Sequence, residues 1–427
     1  MSDILPSILI LSGVRGDTRR YRTFHLHEQT RLIGLDSQLS HVTDSDIRNK
    51  VESASIVILH RASFNPLIAW LIKEIRRKHG ILIQDIDDLL FEPDAFKYIQ
   101  SPDFSDPVRS SLYQEEMRLY RKTVDACDAM TASTDYLAER IRLLEKPVCV
   151  HRNAFSLEML QISEKAFHTR QNTQTKIVIG YASGTATHDH DFALIKPALT
   201  SILDRFPNVE LRLVGPLDPG TGWGDYENRI HHLRLVPWRE LPEILAGFDI
   251  NLAPLRTDNP FGQSKSEIKY MEAALVRVPT IASPSEAFSF AIKNAQTGFL
   301  AGDTLEWEEG LEKLILQPEL RHQVGEASFQ AVVEHYHPIV RAKELVVTLG
   351  VLTDNKIKPV GIDDPSSVSS IGSGLSIWSS SQVEKTPTLL QMGWYMLRYR
   401  GLSVLLKQIW IFLRRLAAPI IPFQKAS

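Results

Sequence analysis

Short apolar runs alternate with helix-period stretches along most of the chain, and this alternation limits the fold more than any other feature. ILPSILIL (4–11), ASIVILHR (54–61), GILIQDIDD (80–88), DAMTAST (128–134) and PVCVHRN (147–153) have strand length. Between them, FHLHEQTRLIG (24–34), PLIAWLIKEIRRKHG (66–80) and VRSSLYQEEMRLYRKTVDAC (108–127) carry helical periodicity. Strands that are apolar on both faces need cover on both faces, so the pattern predicts a parallel sheet between helix layers. The pattern then restarts. TKIVIGYASG (175–184), VELRLVG (209–215), IHHLRLVP (230–237) and PTIAS (279–283) read as strands, ELPEILAGFDINLAPL (240–255) as helix then strand, and KSEIKYMEAALVRV (265–278) as a helix. The expected architecture is α/β, with two doubly wound Rossmann-like halves, 1–152 and 153–350, facing a cleft. Ligands of such sheets sit beyond the carboxyl ends of the strands.

At 427 residues the chain is too long for one ordinary core, which agrees with two domains. A net charge of −3 provides no basic field, so nucleic acid is not expected as a partner. The two cysteines, Cys127 and Cys149, form neither a CxxC nor a Cys/His array, which fits a cytoplasmic setting. The start, MSDILPSILILSGVRGD, lacks the basic region and cleavage site of a signal peptide. No apolar run reaches the roughly 18 residues of a spanning helix.

Beyond residue 350 the composition changes. Residues 351–385 read as a linker, with nine serines in SSVSSIGSGLSIWSSS (366–381). Residues 386–427 form a basic, apolar tail. From Lys385 onward there are seven Lys/Arg and no acid, and Arg400, Lys407 and Arg414 recur every seven residues. On one continuous helix they would share a face, the pattern of an interfacial helix on an anionic membrane surface or of a helix docking on protein.

QSKSEIKYMEAA (263–274) carries the sharpest chemistry. NPFGQ before it is turn-forming, and Ser264 with Glu267 has capping-box spacing, so Ser264 would cap a helix opened by Lys265. Lys265, Lys269 and Glu272 then share a narrow arc. A lysine in a helix's first turn opposes the dipole unless an anion lies between them. A diphosphate near the helix start, with ribose hydroxyls on Glu272, matches that arrangement. The same residues also suit a surface helix with solvated lysines.

PFGQSKSEIKYMEAALVRVPTIAS (260–283) resembles the nucleotide-sugar motif of glycosyltransferase family 4, the retaining GT-B enzymes. The resemblance extends over most of residues 5–350. Glu272 matches the second glutamate of the family's Glu-x7-Glu pattern, implied to hold ribose hydroxyls, while Ser264 stands where the first would be. The form K-S-x-x-K-x-x-E, here Lys265, Ser266, Lys269 and Glu272, is similar to a surface-polysaccharide branch. Gly262 belongs to the turn before it. In the loop after the strand at 175–182, Ser183, Gly184, Thr185 and His188 stand where the family often places Arg and Lys for the diphosphate. After the first strand, Gly13, Arg15 and Gly16, with Arg19, Arg20 and Arg22, stand where family members approach acceptor and donor phosphate. Asp85-x-Asp87 imitates a metal-binding DxD. In a GT-B frame, however, Asp87 or Asp88 would orient acceptor hydroxyls, or the aspartates would simply cap a turn.

The resemblance implies transfer of a sugar from a nucleotide-diphosphate sugar to a glycan or lipid-linked acceptor, with retention, in surface polysaccharide assembly. No metal cofactor is expected, with Lys265 and Lys269 stabilising the leaving diphosphate. The tail suggests a cytoplasmic enzyme peripheral on the inner face of the membrane. A nucleotide-sugar epimerase or hydrolase shares the architecture but needs no lipid acceptor. A non-catalytic scaffold is the reading favoured by Ser264 and by a loop free of Arg and Lys at 179–192.

Overall fold

The computed structural model describes residues 7–99, 102–170, 176–353 and 386–417. Two six-stranded, wholly parallel sheets form its frame. The first holds β1 (Ile8–Ser12), β2 (Ser37–His41), β3 (Ile56–His60), β4 (Ile81–Ile86), β5 (Ala129–Ala132) and β6 (Val148–Val150), in the order β2-β1-β3-β4-β5-β6. The second holds β7 (Ile177–Ala182), β8 (Val209–Val214), β9 (Ile230–Leu233), β10 (Ile250–Ala253), β11 (Thr280–Ala282) and β12 (Phe299–Leu300), in the order β12-β11-β10-β7-β8-β9. The two Rossmann-like halves expected from the alternation are present.

Side-chain alternation along β1 and β3 explains the double cover. Leu9, Leu11, Val57 and Leu59 face a core under the helix Pro66–Arg77, while Ile8, Ile10, Ile56 and Ile58 face another. That second core is completed from far along the chain. The helix Pro338–Leu352 inserts Ala342, Leu345, Val346 and Leu349 beside Ile8 and Ile10. The expected second domain, 153–350, therefore returns its last helix to the first sheet. The apolar face at 342, 345, 346 and 349 finds there the cover that β1 and β3 need.

Each sheet has one point where the chain reverses its direction of growth. In the first it lies between β1 and β3, and in the second between β7 and β10. The crevice beyond the strand ends at such a point is where ligands bind. Gly13 follows β1 there, so close to the chain leaving β3 that a Cβ would lie 2.3 Å from the Arg61 carbonyl oxygen. Only glycine permits that approach.

The tail departs from the single helix expected. Two helices, Leu389–Tyr399 and Leu402–Ala417, form a hairpin. Gly401, at φ +89, turns the chain left-handed, and its N–H donates to the Met396 carbonyl at 2.9 Å. Arg400 therefore ends the first helix and does not share a face with Lys407 and Arg414 on the second. The expected linker lies almost wholly outside the described residues, as does the tail beyond 417. Among the described residues, no helix is long and apolar enough to cross a membrane.

Candidate functional site

The segment around Lys265 is built differently from its sequence reading. A short helix, Pro260–Gln263, is capped by Asn259, whose side chain accepts from the Gly262 N–H at 2.9 Å. The next helix runs only over Ile268–Ala274, with Glu267 before it. Lys265 and Ser266 thus lie in the connection, not in a helix. The Ser264–Glu267 capping box does not form, because both side chains have stronger partners elsewhere. The Ser264 hydroxyl donates to the Phe261 carbonyl at 2.7 Å, and Glu267 accepts from the Tyr336 hydroxyl at 2.8 Å. Glu267 also lies 3.6 Å from Arg152, and burial pushes its pKa up. Gly262 is required by packing, since a Cβ would lie 1.6 Å from the Arg256 carbonyl oxygen.

Of the three residues singled out for the donor, Lys269 lies at the second sheet's reversal point, while Lys265 and Glu272 reach across to the first domain. Lys269 donates to the carbonyl of Ala182, at the end of β7, and its ammonium lies 4.8 Å from the Tyr181 ring centroid. Burial lowers its pKa to about 8, against the opposing pull of Glu272 and Asp191. Glu272 accepts from the Tyr21 hydroxyl at 2.5 Å and lies 3.4 Å from the Arg20 guanidinium. Lys265 crosses to the first domain, meeting the Asp88 carboxylate at 2.9 Å with its ammonium 3.9 Å from the Phe261 ring centroid. Ser266 accepts from Asn153 at 3.0 Å.

In the loop after β7, Ser183 is spent internally. Its N–H donates to Val214 at 2.9 Å and its hydroxyl to the Thr185 carbonyl at 2.7 Å, so it offers no donor to a ligand. Gly184 and Thr185 form the exposed tip. His188 is held by Asp191 at 2.8 Å, and burial keeps its pKa low. A space of only about 30 Å³ remains between His188, Asp191, Asn259, Phe261 and Lys265.

On the first-domain side the aspartates divide. Asp85 is buried and clasped by Arg22 through bonds of 2.5 and 2.8 Å, with Thr131 adding a third at 2.5 Å. Asp87 is clasped by Arg61 at 2.7 and 3.0 Å, with His60 at 3.4 Å, and although burial pushes the other way, the Arg61 guanidinium holds its pKa far below the usual range. With both carboxylates occupied by guanidinium groups, the Asp85-x-Asp87 pair is a structural device rather than a DxD metal grip. Asp88 caps the turn Leu89–Phe91, accepting from the Leu89 N–H, and alone of the three reaches across to Lys265 and Ser264. Gly13 lies at the cleft, while Arg15 and Gly16 are exposed on the loop beyond it. Arg22, grouped by sequence with the phosphate-facing arginines, points inward to Asp85. It also donates to Asn153 at 3.1 Å, which continues the network to Ser266.

Sequence reasoning missed Tyr21 and Ser264 as members of the site. Tyr21 lies in a π-helical turn, Arg20–Phe24, directly after the glycine loop. Its partner Glu272 is 251 residues away, so no local pattern announces the pair.

Residues 195–346, most of the second domain, match a family model described as Glycosyl transferase-like. No curated protein matches the chain in sequence. Among solved structures, a glycosyltransferase from Rickettsia africae superposes with a TM-score of 0.56 at 14% identity, covering 82% of this chain and 100% of that one. HepE of Anabaena, solved with UDP and glucose, gives 0.54 at 13% identity over 81% and 99% of the two chains. Sucrose-phosphate synthase of Thermosynechococcus elongatus gives 0.53 at 12% identity over 79% and 97%. At these identities the superpositions speak for the two-domain fold, and the family match speaks for the second domain within it. Together they give the chain the two-domain fold of these structures, with a second domain similar to the Glycosyl transferase-like family.

Proposed function

We propose that the protein transfers a sugar from a nucleoside diphosphate sugar to a glycan or lipid-linked acceptor, with retention and without a metal, in surface polysaccharide synthesis. The observation that carries this reading is Lys269 at the reversal point of the second sheet, with Lys265 and Glu272 of the same segment reaching across the cleft to Asp88 and Tyr21. Two cations with a carboxylate beyond them match a diphosphate followed by a ribose diol. HepE, of the same fold, was solved with UDP and glucose.

Lys265 and Lys269 stabilise the negative charge that grows on the leaving diphosphate. The bond from the sugar's anomeric carbon to the phosphate oxygen breaks, and a bond to the acceptor oxygen forms on the same face. The departing phosphate oxygen takes the acceptor's proton, so no separate base is needed. Glu272 accepts from the ribose hydroxyls, shifting Tyr21 and Arg20 aside. Asp88 orients the acceptor hydroxyl, while Asp87 acts one step back by fixing Arg61 beside it. Gly184 and Thr185 border the phosphates, with His188 behind them.

The outer side of the tail hairpin supports a membrane location. Leu390, Trp394 and Leu397 on its first helix, and Leu402, Leu406, Ile409 and Leu413 on its second, are exposed at i, i+3/i+4 spacing. Arg398, Lys407 and Arg414 accompany them, and no acid follows Glu384. An apolar stripe with basic neighbours suits the inner, anionic leaflet of a cytoplasmic membrane.

Calorimetric titration of UDP, GDP and dTDP tests the donor site. One nucleotide is expected to bind equally well with Mg²⁺ or EDTA, and about tenfold or more weakly to Glu272→Ala, which loses charge-assisted hydrogen bonds. Binding that needs Mg²⁺, or that ignores Glu272, would refute this assignment.

A further inference from the structure

A histidine stands where the proposed donor site has fewest cations. From Ile179 to Phe192, the end of β7 and the turn after it contain no Arg or Lys. His188 closes that turn, Ala186–His188, and borders the space of about 30 Å³ that Lys265 also lines. Its Nδ1 lies 2.8 Å from one oxygen of Asp191, and the other oxygen accepts from the Arg256 N–H at 2.8 Å. The carboxylate is thus fixed from two sides, and it selects the ring tautomer that carries its hydrogen on Nδ1. Nε2 is the nitrogen left over, with no partner among the described residues. A neutral ring in this tautomer presents Nε2 to a phosphate oxygen as acceptor against acceptor. An imidazolium presents an N–H donor and a charge.

The surrounding charges decide which form is present. On the ring's own turn and the helix after it, Asp191 is the group that meets it. Asp189 turns to the Asp218 N–H at 3.1 Å, and His190 is exposed. From the facing segment, Lys265 and Lys269 act on the ring, while the Arg256 guanidinium pairs with Asp258 at 2.6 Å. From the first domain, Tyr98 and Ile99 complete the wall. Burial is the largest influence and, with the two lysine charges, outweighs Asp191, so the ring is neutral near pH 7 in the empty site. A diphosphate reverses that balance. With Asp191 beside them, Lys265 and Lys269 do not neutralise it, and a further cation is favoured. The space as it stands holds about one water. Because Tyr98 and Ile99 belong to the first domain, parting of the domains widens it.

We propose that His188 is a proton-linked ligand of the donor diphosphate: it takes up a proton from solvent as the nucleotide binds, donates from Nε2 to a phosphate oxygen, and releases the proton when the nucleotide leaves. Asp191 is the positioning residue, fixing the tautomer and sharing the imidazolium charge. The donor site then carries a cation only while it is filled, which lowers the repulsion between Lys265, Lys269 and the ring when it is empty. The proposal rests on the transferase reading above and deepens its donor site.

Proton uptake is read by titrating UDP into the full chain at about pH 7 in buffers of different ionisation enthalpy, such as Pipes, Hepes and Tris. Lys269, with its pKa about 8, is already largely charged at that pH, and a terminal phosphate, with a pKa of about 6, is largely ionised. The wild type is expected to take up about half a proton or more per UDP bound, equivalent to binding that weakens about 3–10-fold per pH unit. His188→Gln should bind UDP with uptake near zero and a level profile from about pH 6.5 to 7.5. His188→Arg, charged throughout, should be level as well. Asp191→Asn, which keeps an oxygen for the Arg256 N–H, should also lose the uptake and serves if His188→Gln fails to fold. UDP bound without uptake by the wild type, or with uptake unchanged in His188→Gln, would overturn the proposal and leave the donor site standing. Failure of UDP, GDP and dTDP alike to bind the wild type would remove the donor site, and the proposal with it.

Discussion

Lys265 bridges the domains to Asp88 at 2.9 Å, yet the proposed reaction needs that ammonium on a diphosphate. Donor and Asp88 therefore compete for one cation, and Asp88→Asn tilts the competition. Asparagine keeps a side-chain oxygen for the Leu89 N–H, so the turn cap survives. What is lost is a charge-assisted bond between side chains that are 23% and 10% exposed, too buried for full solvent screening. Such bonds contribute about 1.5–3 kcal/mol. The amide oxygen retains part of this, so about 1–2 kcal/mol is released, equivalent to about 5–30-fold tighter UDP binding. The rate of transfer should move the other way, because Asp88 is also the carboxylate placed to orient the acceptor. A double-mutant cycle with Lys265→Met, read by calorimetry, isolates the cause. UDP binding weakens in Lys265→Met, and adding Asp88→Asn to it should change nothing. Tighter binding of equal size with and without Lys265, or weaker binding in Asp88→Asn alone, would refute the competition.

Three further outcomes are expected. Lys269, with its pKa lowered to about 8, is protonated below that pH and loses its charge above it, so UDP affinity should fall about tenfold per pH unit above pH 8. Lys269→Arg should flatten that profile, and a lysine protein whose affinity is level to pH 9.5 would contradict the assignment. Arg22→Ala leaves the Asp85 carboxylate, 1% exposed, without its cation. Urea unfolding should show a loss of about 3–5 kcal/mol, largely restored in Arg22→Met/Asp85→Asn, and a loss under 1 kcal/mol would show that water reaches the site. The protein should co-sediment with vesicles containing phosphatidylserine and far less with pure phosphatidylcholine. Trp394→Ala/Leu406→Ser should weaken that binding, and equal binding to both lipids would remove the electrostatic part of the membrane reading.

The sheets were legible because their central strands are apolar on both faces, a signal that needs no knowledge of partners. The edge strand Ser37–His41 escaped notice because SQLSH has no such run. It is recognised only through its pairing with β1. The Lys265–Glu272 stretch was legible as a cluster but not as a shape. Spacing predicted one helix with a Ser264 cap, whereas Glu267 is drawn off by Tyr336 and Arg152, partners 69 and 115 residues distant. Local capping competes with tertiary hydrogen bonds, and only the folded chain decides between them. The arginines after the first strand show the same limit. Sequence counts Arg20 and Arg22 alike, but one turns to Glu272 and the other to Asp85. Heptad spacing in the tail likewise carried no weight once Gly401 interrupted the helix.

The helix Pro338–Leu352, which returns to the first sheet, also governs how the molecule can move. The second domain is joined to the first by two passages of chain, one through Ala154–Ser156 and one through Tyr336–Pro338. They run side by side, with the rings of Phe155 and His337 in edge contact at 5.7 Å. A body tethered by one flexible strand can swivel in any direction. Two tethers at almost one place leave it a single axis, passing near Phe155 and His337. Rotation about that axis opens or shuts the gap between Asp88 and Lys265 while the far rim travels furthest. A bulky or rigid substitution at the pivot should therefore alter the pace of turnover without touching a substrate.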